Sequence, residues 1–208
     1  MFSGQPHCRV ESTTPRVERG SNAATLVRST PPSVLEPAKD HVQLRLNDSR
    51  YVTIRPIQPS DLDALRTFFT ALSRATLRFR FLCPINELSE HLLREFTAVN
   101  QRAHLAFVAE FHGAAGQLPA LVAEARFVRC ADSQSAEFAL VVADDWRRIG
   151  LGTMLTRILA QRARFAGLRR LCGDVLEDNA AMRGFAHSLG ARLSQVMRHG
   201  LIRLSLEM

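Results

Sequence analysis

Lysine is almost missing from this chain. Lys39 stands alone among 27 basic residues, so arginine carries nearly all of a formal net charge of +7. The lack excludes one phosphate-binding pattern, because a P-loop requires G-x-x-x-x-G-K-[ST] and no glycine-rich stretch here has a lysine beside it. Cysteine is also sparse. Cys8, Cys83, Cys130 and Cys172 form no C-x-x-C pair and have no histidine at ligand spacing, so neither a zinc centre nor a disulfide framework is indicated. No apolar run approaches the ~18 residues of a membrane helix. The first thirty residues lack the apolar core of a secretory signal, and the expectation is a cytoplasmic protein with no membrane partner. The arginines are spread along the whole chain. With no helix-turn-helix signature and no aromatic–basic stripe, nucleic acid is not the expected partner. Tyr51 is the only tyrosine and Trp146 the only tryptophan.

What is present divides the chain in two. Residues 1–45 carry Pro15, Pro31, Pro32 and Pro37 among Ser, Thr and Arg without apolar periodicity, and are read as a disordered tail or linker. Residues 46–208 are read as one domain. YVTIRPI (51–57) alternates as a strand. Ser60 with Asp63 forms a capping signature before Leu62, Leu65, Phe68, Phe69 and Leu72 at helical spacing. Helices follow over Ser73–Phe81 and from Ser89. Strands are expected at 104–111, 120–130 and 135–143, the first two joined by the turn-rich GAAGQLP. A helix over 152–167, a strand over 170–176, a helix ending at Gly190 and two closing strands complete a mixed α/β order.

One stretch, DDWRRIGLGTM (144–154), joins a strand to a helix through two glycines. Bare backbone at a helix N-terminus suits an anion, because the first N–H groups of the helix have no partner within it. A dinucleotide fingerprint fails, since Leu155 stands where G-x-G-x-x-G needs its third glycine. The remaining pattern is R-x-x-G-x-G, formed by Arg147, Gly150 and Gly152.

This pattern resembles the pyrophosphate-binding loop of GNAT superfamily N-acetyltransferases. SAEFALVVADDWRRIGLGTML and LEDNAAMRGFAHSLGAR are similar to consecutive segments of the acetyltransferase domain of bacterial protein lysine acetyltransferases. YVTIRPIQPSDLDALRTFFTALSRATLRFRF resembles its opening strand and helices. The resemblance runs from about residue 50 to 206. It implies a GNAT-like α/β fold with a mixed, mostly antiparallel central sheet and helices on both faces. It further implies acetyl-CoA as acyl donor, with the pyrophosphate on backbone N–H groups from Arg148 through Gly150, Leu151 and Gly152 to Thr153. Arg147 or Arg148 would add charge. Leu140 and Val142 would lie on a strand that splays from its neighbour to pair with the pantetheine arm. Asn179 would touch that arm or position the amine.

Transfer from a thioester to an amine needs a neutral amine, and a lysine side chain starts near pKa 10.4. A base must remove a proton. Glu137 matches the glutamate to which the resembling protein acetyltransferases assign that role. Glu110, Glu124 and Asp174 are less favoured. Many GNAT enzymes place an acidic tyrosine seven residues after the asparagine; that position is Ala186 here. The expected function is therefore an acetyl-CoA-dependent N-acetyltransferase acting on protein lysines. A small-molecule amine acetyltransferase and a non-catalytic acyl-CoA-binding module remain as alternatives. Oligomeric state is left open.

Overall fold

The computed structural model describes residues 41–113, 119–132, 134–195 and 200–208. Its first strand is one the sequence reading did not contain. Val42–Arg45 (β1) pairs antiparallel with Tyr51–Pro56 (β2), Leu44 opposite Val52. β1 falls inside the stretch read as tail, so ordered structure begins earlier than composition indicated. Four residues with two apolar side chains are too few to raise a periodic signal.

The entry into the first helix also differs. Gln58 and Asp61, rather than Ser60 and Asp63, form the capping pair, around a short 3-10 turn at Pro59–Asp61. The reason lies in β2. The Arg55 guanidinium grips the Asp61 carboxylate at 2.7 and 2.8 Å, and that carboxylate accepts the Gln58 amide at 2.8 Å. Leu62–Ala71 (α1) follows. Arg74–Phe81 (α2) and Glu90–Thr97 (α3) are capped as expected, by Ser73 and Ser89. His104–Phe111 (β3), Ala120–Arg129 (β4) and Ser135–Val142 (β5) come next. β3 and β4 pair antiparallel; most of the turn predicted between them lies outside the described residues. The chain continues through Leu151–Phe165 (α4), Arg170–Leu176 (β6), Ala180–Ser188 (α5), Arg192–Gln195 (β7) and Leu201–Glu207 (β8).

The eight strands form one sheet in the order β1-β2-β3-β4-β5-β6-β8-β7. Every neighbouring pair is antiparallel except β5–β6. Helices cover both faces, as the resemblance implied. Leu151, Leu155 and Leu159 of α4 pack with Phe107, Phe127 and Ala136 on one side. Leu65, Phe68, Phe69 and Leu93 of α1 and α3 pack with Ala106, Val108 and Val141 on the other. Double coverage explains why β3 reads as a continuous apolar run rather than an alternation. No helix among the described residues is long and apolar enough to cross a membrane.

Two charged groups are built into the α1–α3 face. Glu110 is held by Arg55 at 3.1 and 3.2 Å. Glu124 is fully buried between Arg126 and Arg80. Arg126 also lies over the Phe96 ring and 3.1 Å from His104. Burial, reinforced by the Arg126 charge, pushes the His104 imidazole down to about 4.

Candidate active site

β5 and β6 are hydrogen-bonded over only three residue pairs, Ser135↔Arg170, Ala136↔Leu171 and Glu137↔Cys172. Beyond Glu137 they diverge. Gly173 sits at the fork. A Cβ there would stand 3.0 Å from the Phe138 carbonyl oxygen, so a side chain at this point would push the two backbones slightly apart. A cavity of about 700 Å³ opens in the fork. Its walls include Phe138, Leu140 and Val142 of β5, Gly173 and Asp174 of β6, Thr76 and Arg80 of α2, and Met182 and Phe185 of α5.

β5 leads through a short 3-10 turn at Asp144–Trp146 to the start of α4. Arg148 has φ 61° and Gly150 φ 91°, which turns the chain back on itself before Leu151. No side chain caps α4. The backbone N–H groups from Arg148 to Thr153 donate to no other described residue. A buried Leu151 anchors this first turn in the core. The β1–β2 turn braces the loop from outside: the Asn47 amide donates to the Ile149 carbonyl at 3.3 Å, Arg50 donates to the Asp145 carbonyl at 3.1 Å, and the Arg50 guanidinium lies 3.7 Å from the Trp146 ring centre. The result is a braced row of unpaired donors at the positive end of a helix, facing the cavity. An anion with several oxygens fits such a row.

The two arginines of the loop part company. Arg147 is pinned, donating to Thr76 Oγ1 at 2.5 Å and the Val142 carbonyl at 3.3 Å and pairing with Asp144 at 3.1 Å. Asp144 in turn accepts from the Ser73 amide and the Thr76 hydroxyl, clamping α2 against the loop. Although burial opposes it, these bonds and the Arg147 charge hold the Asp144 carboxyl below the usual range. Arg148 is exposed and makes no ion pair among the described residues, so its guanidinium is the one available to an incoming anion.

Glu137 stands at the closed end of the fork. Its side chain is 61% exposed and lies outside the cavity wall. Arg203 of β8 donates to it from both terminal nitrogens at 3.2 Å, and to Asp174 at 2.9 Å. Asp174 does line the cavity, as does Asn179. Asn179 caps α5, its side-chain oxygen accepting the Met182 amide at 3.0 Å. Ala186 is fully buried, and Tyr51 is exposed on β2 at the far side of β3 and β4, so no tyrosine enters the site.

The profile of the acetyltransferase (GNAT) domain matches residues 52–192. The chain belongs to the GNAT acetyltransferase family. An acetyltransferase of Pseudomonas aeruginosa is 35% identical over 170 residues, 82% of this chain and 89% of that protein. The acetyltransferase Pat of Mycolicibacterium smegmatis is 32% identical over 151 residues, covering 72% of this chain but 43% of that longer protein. The crystal structure of the GNAT domain of S. lividans PAT superposes with a TM-score of 0.76 at 25% identity, over 83% of this chain and 99% of that one.

On this GNAT scaffold the structure brings Leu140, Val142, Arg147, Arg148, Gly150, Gly152, Thr153 and Asn179 around one cavity. Leu151 contributes backbone only, because its side chain is in the core. Sequence reasoning missed Gly173, Thr76, Arg80 and Arg203. Gly173 carried a readable signal, a glycine inside an otherwise apolar strand. The other three are ordinary surface-type residues until the fold places them.

Proposed function

We propose that this GNAT protein transfers the acetyl group of acetyl-CoA to amines, with protein lysine side chains as the acceptor class. The observation that carries the reading is the fork between β5 and β6, which runs directly into the uncapped N-terminus of α4. The edge of β5 at Leu140 and Val142, which β6 leaves unpaired, suits an amide-bearing arm, and the free N–H groups from Arg148 to Thr153 suit a pyrophosphate with Arg148 beside it. Acetyl-CoA supplies the thioester. Glu137 takes the proton that the acceptor ammonium must lose, either directly or through a water. The amine nitrogen then gains the acetyl carbon as the C–S bond breaks. With Ala186 at the position of a tyrosine, water relays the second proton lost by the nitrogen to the departing thiolate, a tolerable leaving group with its thiol near pKa 8.5.

The lysine preference is supported by the similarity to Pat of M. smegmatis and to the S. lividans PAT domain. Incubation with acetyl-CoA and whole-lysate protein, followed by mass spectrometry, tests it. Acetyl-lysine formed above the uncatalysed background is the expected result. Acetylation confined to small amines would move the acceptor class, and binding without transfer would make the protein an acyl-CoA-binding module.

A further inference from the structure

Two carboxylates and one guanidinium meet where β5, β6 and β8 run side by side, and the reaction sketched above uses only one of the three. The register places Arg203 opposite Asp174, and Cys172, one alternation along β6, opposite Glu137. All three charged side chains therefore project from the sheet face that carries α1–α3. Arg203 reaches across β6 to β5. Adjacent strands are ~4.8 Å apart, so only a long side chain can span them. The planar fork lets one nitrogen serve both carboxylates while its neighbour also binds Glu137.

We propose that Arg203 is a positioning residue for the amine end of the site, holding Glu137 and Asp174 together so that the pair presents one net negative charge to the acceptor. The proposal rests on the reading that Glu137 takes the acceptor's proton. Asp174 lines the cavity and Glu137 does not, so a shared guanidinium is what ties the exposed carboxylate to the fork. The surroundings leave Arg203 this role. On β4, Val128 stands opposite Glu137, and Arg126 is engaged by Glu124. On β6 the same face offers Cys172, and on β7 Ser194 and Arg192 stand opposite Arg203 and Ser205. Among the described residues Arg203 is the cation within hydrogen-bond distance of both carboxylates. Burial works against its charge, but the bonds to Asp174 and Glu137 prevail and keep the guanidinium charged across the working pH range.

The test is the pH–rate profile of acetyl transfer to whole-lysate protein for the parent protein, Arg203→Met and Arg203→Lys, with the acetyl-CoA-induced thermal shift measured alongside. Without the guanidinium the two carboxylates face each other uncompensated. The acid limb of Arg203→Met should therefore move to higher pH by about 0.5–1 unit, with the thermal shift unchanged. Arg203→Lys should fall between, keeping the charge without the fork. A profile of unchanged shape, lowered equally at every pH in both variants, would reduce Arg203 to a structural residue. Should Arg203→Met fail to fold, the displacement in Arg203→Lys alone decides. A parent protein that binds acetyl-CoA but transfers nothing would overturn the catalytic reading itself, an outcome distinct from active variants with an unmoved limb.

Discussion

Glu137 and His104 show how differently two titratable residues on one sheet can be employed. Glu137 is exposed at the closed end of the fork, while Glu110 and Glu124, its rivals on neighbouring strands, are locked to Arg55 and to Arg80 with Arg126. Removing a partner from such a buried pair is destabilising, which marks these two as structural. Replacing Glu137 by Gln preserves size and hydrogen bonding but removes the proposed base. Turnover at pH 7 should fall ~10²–10⁴-fold, and the acetyl-CoA thermal shift should stay as it was. An equally active Glu137→Gln would move the role to Asp174 or a water chain. His104 bears instead on stability. Its folded-state pKa of about 4 lies below the ordinary 6.5. Between those values the unfolded chain binds more protons, so the stability that neutral His104 contributes is present above about 6.5 and is lost as pH falls towards 4. Urea midpoints at pH 4.5 and 7 should differ less in His104→Gln than in the parent protein.

At the scale of elements, the loop into α4 and the β5–β6 fork work as one device. Acetyl-CoA at 100 times its Kd should raise stability by about 2.7 kcal/mol. Gly150→Glu should remove that gain by placing a negative side chain beside the free N–H row, and Gly150→Ala separates charge from conformation. Both variants carry the strain of a side chain at φ 91°, which costs about 1–3 kcal/mol. If the folded glutamate variant still shows the full thermal shift, the pyrophosphate lies elsewhere. Legibility was uneven at this scale. The helix caps at Ser73 and Ser89 and the strands at 104–111 and 170–176 were plain, because short-range hydrogen bonding specifies the caps and short runs rich in apolar residues specify the strands. The 3-10 turn at Pro59–Asp61 was not, since its capping pair is chosen by Arg55 from another element.

For the whole molecule, a chain beginning at His41 should unfold cooperatively and bind acetyl-CoA as the full chain does. It keeps β1, whose Leu44 packs against the core and whose turn to β2 braces the loop into α4. Circular dichroism melts with and without acetyl-CoA check this. Loss of cooperative unfolding on removing residues 1–40 would show that the preceding segment contributes to the domain.

What the sequence determined by itself was what adjacent residues decide: the order of the helices and of the strands after β1, the glycine-bearing turn between β5 and α4, and the family likeness carried by that turn. Local geometry suffices there, because a left-handed glycine and an uncapped helix start are properties of a few consecutive residues. The tertiary structure decided what depends on sheet order. Only the parallel contact of β5 with β6, followed by their divergence at Gly173, creates the cavity. Only the insertion of β8 beside β6 carries Arg203 to Glu137, 66 residues away in the chain. Likewise Arg147, expected as an alternative to Arg148 to add charge at the phosphates, bonds to Thr76 and Asp144 beside the cavity because α2 packs over the loop. Nothing in a run of neighbouring residues encodes such a meeting, since it follows from which strands lie side by side.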